Sequence, residues 1–220
     1  MTSRRAPRER APRPTIYVLA GVNGAGKSSV AGAAIRASGG EYFNPDEATL
    51  RLLVTNPRMD PSVANALAWS FGRCLLECAI ADHLDYAFET TLGGATITQL
   101  LETARDAGLD LHMRYVGLES PALHIARVRA RVAAGGHDIP EAKIRERYDS
   151  SRRNLIRLLP RLTDLVVYDN SVDAPPLRGE QPVPRTLLHV TNGKVVDVVA
   201  LDTVPRWARP IVMAALRLGA

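Results

Sequence analysis

A glycine-rich segment carries the most specific chemical signal in this sequence. Residues 21–28 spell GVNGAGKS and fit the pattern G-x-x-x-x-G-K-[ST] in full. In this pattern backbone N–H groups surround phosphate oxygens, the lysine neutralises the β- and γ-phosphates, and the hydroxyl binds Mg²⁺. The segment therefore predicts a site for ATP and Mg²⁺, with Lys27 as a catalytic residue and Ser28 as the metal ligand. The predicted nucleotide-binding residues are Gly21, Asn23, Gly24, Ala25, Gly26, Lys27, Ser28 and Ser29.

A second candidate is Asn44-Pro45-Asp46, which ends a short predicted strand, Glu41–Asn44. Proline disfavours helical backbone at the residue before it. Asp46 would then project from the carboxyl edge of the sheet, where ligands bind in open α/β folds. There a carboxylate can accept the proton of an acceptor hydroxyl. Asp46 would serve equally well as the cap of a helix beginning at residues 47–53, so a base and a cap remain alternatives.

A third candidate is Glu89, which ends the predicted strand Tyr86–Glu89 and is followed by Thr90 and Thr91. A carboxylate in this place suits binding Mg²⁺ through water or hydrogen-bonding the acceptor. The two threonines are explained alternatively as caps of the next helix. This segment therefore adds acceptor-binding candidates without deciding between the two explanations.

Arginines on two successive helices form the fourth candidate. Arg127 and Arg131 are four residues apart and share one helix face. Gly135-Gly136 follows, with His137 behind it, and a second helix carries Arg145, Arg147, Arg152 and Arg153. We name residues 121–159 the lid, because two helices around a glycine hinge could close on phosphates and bring positive charge to them. The alternative is a solvent-exposed pair of basic helices.

Strands and helices must alternate to position these groups, which predicts a parallel sheet covered on both faces. The predicted strands are Thr15–Ala20, Glu41–Asn44, Tyr86–Glu89, Leu111–Val116 and Leu165–Asp169. The predicted helices cover residues 28–38, 61–82, 97–107, 121–134 and about 138–159, the last opened by a capping box from Asp138 to Glu141.

The predicted helix over residues 61–82 has an apolar stripe, which we expect to be buried. The stripe consists of Val63, Leu67, Phe71, Cys74 and Cys78. The two cysteines have no matching second pair, so buried thiols are favoured over a metal site.

The chain changes character after residue 170. Prolines at 175, 176, 182 and 184 indicate a loop, two apolar runs around Asn192-Gly193 indicate a hairpin, and a helix is expected near residues 210–217. We expect a disordered basic tail over residues 1–14, a core over 15–170, and a C-terminal loop, hairpin and helix over 171–220 that pack on the core.

Composition excludes several classes of protein. The 220 residues are 46% hydrophobic and 23% charged, which is typical of a folded domain. No apolar run approaches the ~18 residues of a membrane span, and two cysteines build no disulfide framework. The basic tail accounts for most of the net charge of +5. We expect a cytoplasmic protein with no membrane partner, and favour a solubilising tail over a nucleic-acid-binding one.

The segments GVNGAGKSS, FNPDEA, FETTL and ARVRARVAAGGHDIPEAKIRERY occur in this order. With them the chain resembles the zeta-toxin-like P-loop kinases over about residues 15–170. The resemblance implies transfer of the ATP γ-phosphate to UDP-N-acetylglucosamine, and an antitoxin partner. It implies that Asp46 is the base and that Asn44, Glu89 and Thr91 bind the acceptor. By the same resemblance Arg131 and Arg147 are the lid arginines, and Asn170 lies in the loop that packs against adenine.

The expected fold class is thus α/β, a P-loop NTPase with a three-layer α/β/α parallel sheet, a helical lid and a small C-terminal β-hairpin appendage. The expected function is an ATP-dependent kinase acting on a hydroxyl of a small molecule, a nucleotide sugar or nucleotide, as the toxin of a toxin–antitoxin pair. The alternatives are a kinase of another metabolite or antibiotic, and a nucleotide-switched protein that binds nucleic acid through its arginine-rich tail.

Overall fold

The structure is a computed structural model that describes residues 13–32, 40–136, 138–172 and 183–219. Several predicted features lie outside the described residues. They are the tail up to residue 12, the part of the first predicted helix from residue 33 onward, His137, and the prolines at 175, 176 and 182. Residues 13 and 14 belong to the fold, because the Pro14 carbonyl accepts a hydrogen bond from the Asp110 backbone N–H (2.9 Å).

Within the described residues, six strands form one mostly parallel sheet in the order β2-β1-β3-β4-β5-β6. The strands are β1 (Thr15–Ala20), β2 (Tyr86–Thr90), β3 (Asp110–Gly117), β4 (Asp164–Asp169), β5 (Arg185–Thr191) and β6 (Lys194–Val198). The first four pair in parallel, and β5 and β6 are antiparallel. The predicted α/β fold class is confirmed.

Strand β1 lies at the centre of the parallel part because nearly all of its side chains are apolar and buried. Ile16, Val18 and Ala20 belong to the main hydrophobic core. The chain leaves β1 toward β2 on one side and returns to β3 on the other. This reversal of strand order opens a crevice at the carboxyl end of β1, the place where open α/β sheets bind ligands.

The C-terminal hairpin extends this sheet and is not a separate small sheet. Asn192 and Gly193 both have positive φ (50° and 75°), as a tight two-residue hairpin turn requires. Strand β5 pairs with β4, and Leu188 and Val190 are buried in the main core. The C-terminal helix, Arg209–Leu218, places Ile211 in the same core.

Helices α1 (Pro45–Thr55) and α2 (Pro61–Asp82) form a hairpin. The predicted burial of the large apolar stripe on α2 is wrong. Leu67 is 48% exposed and Phe71 is 58% exposed, and Val63 and both cysteines are also exposed. The buried face instead carries mostly small residues: Ala64, Ala68, Gly72, Leu76 and Ala79.

Close packing explains which face of α2 is buried. A Cβ atom on Gly72 would lie 2.4 Å from the Phe43 ring, so the helix approaches its neighbours through its smallest side chains. The helix can come this close only with small residues at the contact. The larger residues on the adjacent face, such as Leu67 and Phe71, therefore remain largely at the surface.

The predicted strand Glu41–Asn44 is wrong in extent, since only Phe43 pairs with the sheet. Its N–H donates to the Ala87 carbonyl and its carbonyl accepts from the Glu89 N–H, both at 2.8 Å. Asn44 leaves the strand direction because it caps helix α1.

The remaining helices are α3 (Ala95–Asp106), α4 (Pro121–Ala133), α5 (Glu141–Leu158) and α6 (Arg209–Leu218). Helices α4 and α5 form the lid, and Val22, Ile125, Val128, Ile139 and Ile144 make a small core between the lid and the loop after β1. The predicted capping box of α5 is wrong, because its N-cap is Pro140 and, among the described residues, Asp138 accepts a hydrogen bond only from the Ile139 N–H. No helix in the described part of the chain is long and apolar enough to cross a membrane.

Candidate active site

The glycine-rich segment forms a tight loop directly after β1. Gly21, Gly24 and Gly26 have φ of 141°, 80° and 85°, a region that side chains disfavour. A Cβ on Gly21 would lie 2.2 Å from the Val116 carbonyl oxygen, and one on Gly24 would lie 2.7 Å from the His124 carbonyl oxygen. Glycine is therefore required at both positions by backbone conformation and by space.

The segment after this loop begins a helix, as expected for a phosphate-binding loop, but with π-helical geometry over Ser28–Gly32. The Val30 N–H donates to the Gly26 carbonyl at 2.9 Å, which links the helix to the loop. Ser29, a predicted nucleotide-binding residue, has an exposed side chain.

Glu89 joins the loop to the end of strand β2. Its Oε1 lies 3.3 Å from Lys27 Nζ, and its Oε2 accepts from Ser28 Oγ at 2.8 Å. Lys27 is 6% exposed, and its ammonium also donates to the Val22 carbonyl (3.4 Å). Asn44 Nδ2 donates to the same Glu89 Oε2 at 3.4 Å. Three predicted site residues thus meet at one buried carboxylate.

Asp46 is not the cap of helix α1. Asn44 is the N-cap, and its Oδ1 accepts from the N–H groups of Asp46 (2.9 Å) and Glu47 (3.4 Å). The cap alternative for Asp46 is therefore wrong. The Asp46 carboxylate instead accepts a hydrogen bond from Arg131 Nη1 (2.9 Å), so helix α1 contacts the lid through this pair.

The second predicted lid arginine contacts the phosphate-binding loop. Arg147 Nη1 donates to Asn23 Oδ1 at 2.8 Å. Burial lowers the pKa of Arg147 from its ordinary value, although Glu146 and Asp46 act in the opposite direction. The structure thus brings Arg131 to Asp46 and Arg147 to the phosphate-binding loop. These contacts argue against the alternative of a purely solvent-exposed pair of helices.

Thr90, the last residue of β2, and Thr91, which follows it, are not helix caps. The N-cap of α3 is Gly94, which makes no side-chain capping bond. Thr90 Oγ1 accepts from the Leu92 N–H (3.0 Å) and stabilises the turn in which Leu92 has a φ of 53°. Thr91 is half-buried and directly follows the carboxyl end of β2, two residues after Glu89.

Asn170, predicted to lie in the adenine loop, packs against the phosphate-binding loop. Its Nδ2 donates to the Ala25 carbonyl at 2.9 Å, and a Cβ on Gly26 would lie 2.5 Å from this nitrogen. Its Oδ1 is buried without a hydrogen-bond partner among the described residues. Asn170 therefore supports the loop from the side of β4.

Sequence reasoning missed His124 of helix α4. This residue is 1% exposed, and its Nδ1 lies 2.9 Å from the Asn23 carbonyl oxygen. Burial lowers its pKa to about 4, outweighing the hydrogen bond to Asn23, which acts in the opposite direction. The available signal was its spacing of four from Val128, which places it on the apolar face of the helix.

The oxygen atoms beside the loop fit Mg²⁺. Among the described residues, no cluster of three His, Cys, Asp or Glu side chains could hold a metal by itself. The Ser28 hydroxyl and the Glu89 carboxylate are hard oxygen donors in direct contact. Mg²⁺ prefers such oxygens and is usually bound by few protein groups together with substrate phosphates and water.

Many solved structures are similar to this fold, and two of them illustrate the likeness. The AvrRxo1-ORF1:-ORF2 structure with ATP aligns with a TM-score of 0.65 at 15% identity, and covers 93% of this chain. This chain corresponds to 64% of the length of that chain. The PezAT toxin–antitoxin system of Streptococcus pneumoniae aligns with a TM-score of 0.51 at 13% identity, over 80% of this chain and 77% of that one. At these identities the likeness concerns the fold.

Sequence comparisons identify the family. An uncharacterized protein of Haemophilus influenzae (strain Rd) is 31% identical over 134 residues, which are 58% of this chain and 88% of that protein. The family model described as Zeta toxin matches residues 2–174, most of the chain. The chain therefore belongs to the Zeta toxin family.

Proposed function

We propose that this protein is an ATP- and Mg²⁺-dependent kinase that phosphorylates a hydroxyl group of a small molecule. The acceptor we propose is a nucleotide sugar such as UDP-N-acetylglucosamine, or a related nucleotide. One observation carries the proposal: a continuous series of contacts runs from the phosphate-binding loop to Asp46. It passes from Lys27 and Ser28 through Glu89 to Asn44, whose side chain caps the turn that carries Asp46.

The nucleotide side of this site suits a triphosphate. Lys27 is buried and already beside an anion, the Glu89 carboxylate, so anionic phosphates suit the same ammonium. The loop glycines in the left-handed region form a backbone nest of the kind that binds phosphate. Ser28 and Glu89 would hold Mg²⁺, which neutralises charge on the β- and γ-phosphates.

The acceptor side supplies a base and a positive charge. We propose that the Asp46 carboxylate accepts the hydroxyl proton while the acceptor oxygen bonds to the γ-phosphorus. The bond from that phosphorus to the β–γ bridging oxygen breaks, and ADP leaves. Arg131, 2.9 Å from Asp46, comes from the lid and would stabilise the negative charge on the transferred group. The lid thus brings charge to the reacting groups.

Asp46→Asn tests the assignment of the base. We expect phosphoryl transfer to fall about 10²- to 10⁴-fold, in the lower half of that range because a loose transition state needs little help from the base. ATP binding and melting temperature should change little, since Asn44 is the cap and the Asp46–Arg131 ion pair is about one-third exposed. Product is measured by mass spectrometry, and ATP affinity by calorimetry.

Two controls complete this experiment. Asp106→Asn removes another exposed carboxylate that pairs with an arginine, Arg161, and should leave transfer unchanged. Lys27→Ala should lose both ATP binding and transfer. A fully active Asp46→Asn enzyme would overturn the assignment of the base.

The acceptor is identified with the wild-type protein. Incubation with ATP and single candidates (UDP-N-acetylglucosamine, UDP-glucose, free N-acetylglucosamine) should yield a phosphorylated product only with a nucleotide sugar. Phosphorylation of the free sugar alone, or of another metabolite in a cell extract, would contradict the proposed acceptor while preserving kinase chemistry.

We also propose that the protein acts as a toxin neutralised by an antitoxin protein. Family membership supports this, as does the similarity in fold to a structure described as a toxin–antitoxin system. Expression of the wild type should arrest bacterial growth, whereas Lys27→Ala should not. Equal growth arrest by both proteins would show that toxicity does not depend on phosphoryl transfer.

A further inference from the structure

We propose that His124 and Arg147 are positioning residues that fix the phosphate-binding loop by holding one loop residue, Asn23, from both lid helices. Asn23 occupies a variable position of the loop motif, where the pattern requires no particular side chain. The proposal rests on the proposed ATP-binding function of the loop and assigns to the lid a second task besides supplying charge.

The contact from helix α4 is made by the His124 ring. A carbonyl oxygen can only accept a hydrogen bond, so the Asn23 carbonyl requires the proton on His124 Nδ1, 2.9 Å away. The ring is further fixed by an edge-on contact with Tyr148 of helix α5, with centroids 5.7 Å apart. His124 is therefore a rigid neutral donor between the two lid helices and the loop.

The contact from helix α5 is made by the Arg147 side chain. Its guanidinium donates to Asn23 Oδ1 at 2.8 Å, while its alkyl chain packs on the loop after β2, where a Cβ on Gly93 would lie 2.7 Å from its Cγ. Asn23 itself is 6% exposed, so neither of its oxygens has easy access to water as a substitute partner. Both of these oxygens are occupied by lid residues.

The backbone of the loop explains why these contacts matter. The carbonyls of Val22, Asn23 and Ala25 accept hydrogen bonds from Lys27, His124 and Asn170 respectively. A phosphate-binding nest requires its N–H groups to face the anion, and carbonyls must not turn into the same space. Donors that hold these carbonyls turned away from the anion therefore preserve the anion-binding conformation of the loop. Of these three donors, only His124 belongs to the lid.

The test compares ATP affinity in variants of His124, measured by calorimetry with Mg·ATP and no acceptor. His124→Leu keeps apolar bulk but removes the donor, and we expect ATP to bind at least 10-fold more weakly. His124→Asn places an amide N–H close to the position of Nδ1 and should restore affinity to within about 3-fold of wild type. If His124→Leu does not fold, Asn23→Ala is used instead. That variant removes the acceptor of Arg147 and should weaken ATP binding at least 3-fold.

Ser151→Ala is the matched control for a purely structural effect. Ser151 is equally buried on the lid helix α5, but its hydroxyl contacts Tyr115 (3.0 Å) and not the loop. This variant should lower the melting temperature and leave ATP affinity unchanged. Folded His124→Leu or Asn23→Ala protein with wild-type ATP affinity overturns the inference alone. Wild-type protein that binds no ATP overturns the proposed function, and the inference with it.

Discussion

The two helical hairpins of this protein use their apolar residues in opposite ways. In the lid, formed by helices α4 and α5, Ile125, Val128 and Ile144 are buried against Val22. In the hairpin of α1 and α2, most of the larger apolar residues of α2 remain exposed, and its buried face carries mostly small residues. Both hairpins carry a proposed reacting or positioning group, Arg131 in one and Asp46 in the other.

The difference shows that apolar periodicity alone does not select the buried face of a helix. Helix α2 has two adjacent stripes about 100° apart, one of large residues and one mostly of small residues, and either could be buried. The small stripe is buried because Phe43, anchored to the sheet by two backbone hydrogen bonds, leaves no room for a side chain at position 72. Helix α4 has one apolar stripe, which includes Ile125 and Val128, and that stripe is buried.

The largest effect on stability is expected in the small core of the lid. Ile144 is fully buried there, so Ile144→Ala should lower the free energy of unfolding by about 2–5 kcal/mol. The matched control is Leu67→Ala on α2, which removes a half-exposed side chain and should cost less than about 1 kcal/mol. Urea denaturation measures both. Equal costs would contradict the contrast between the two hairpins.

The second-largest expected effect is a pH dependence of stability caused by His124 of the lid. The pKa of His124 is lowered by burial from 6.5 to about 4, so the unfolded chain binds a proton below pH 6.5 that the folded protein does not bind until about pH 4. The stability that the neutral His124 contributes to the folded protein is therefore fully present above pH 6.5. It is lost as the pH falls from 6.5 toward 4. By pH 5 the loss should be about 2 kcal/mol.

His124→Asn isolates this contribution because asparagine does not titrate. Urea denaturation at pH 7, 6 and 5 should show a decline in stability that is about 2 kcal/mol smaller in the variant than in the wild type. Identical pH dependence in the two proteins would show that the buried imidazole does not have the depressed pKa.

The smallest effect is expected where α2 packs through its small residues. An exposed Gly→Ala change in a helix stabilises by about 1 kcal/mol. At Gly72 the added Cβ would lie 2.4 Å from the Phe43 ring, and such overpacking costs about 1–3 kcal/mol. Gly72→Ala should therefore destabilise by about 1 kcal/mol in thermal or urea denaturation. Ser70→Ala, exposed on the same helix, is the control and should change stability by less than about 0.5 kcal/mol. A stabilised Gly72→Ala protein would show that Phe43 moves away freely.

Features that depend on neighbouring residues were predictable from the sequence. The phosphate-binding loop is an example, because its glycines, lysine and serine act through backbone conformation within eight residues. Strand β1 and the bounds of α2 follow from local apolar runs and from proline and aspartate at the helix start. Family resemblance proposed Asp46 as the base and Arg131 as a lid arginine, and the structure brings these two side chains into contact.

Features that depend on distant residues were decided only by the tertiary structure. His124 and Arg147 reach Asn23 across 101 and 124 residues of chain, and no spacing in the sequence signals such contacts. Asn44 rather than Asp46 caps α1 because Phe43 anchors the chain to β2 just before the helix. The hairpin of β5 and β6 joins the main sheet because the edge of β4 offers it backbone partners. The physical reason is common to these cases: local sequence sets backbone preference, whereas the identity of a side chain's partner depends on which elements pack together.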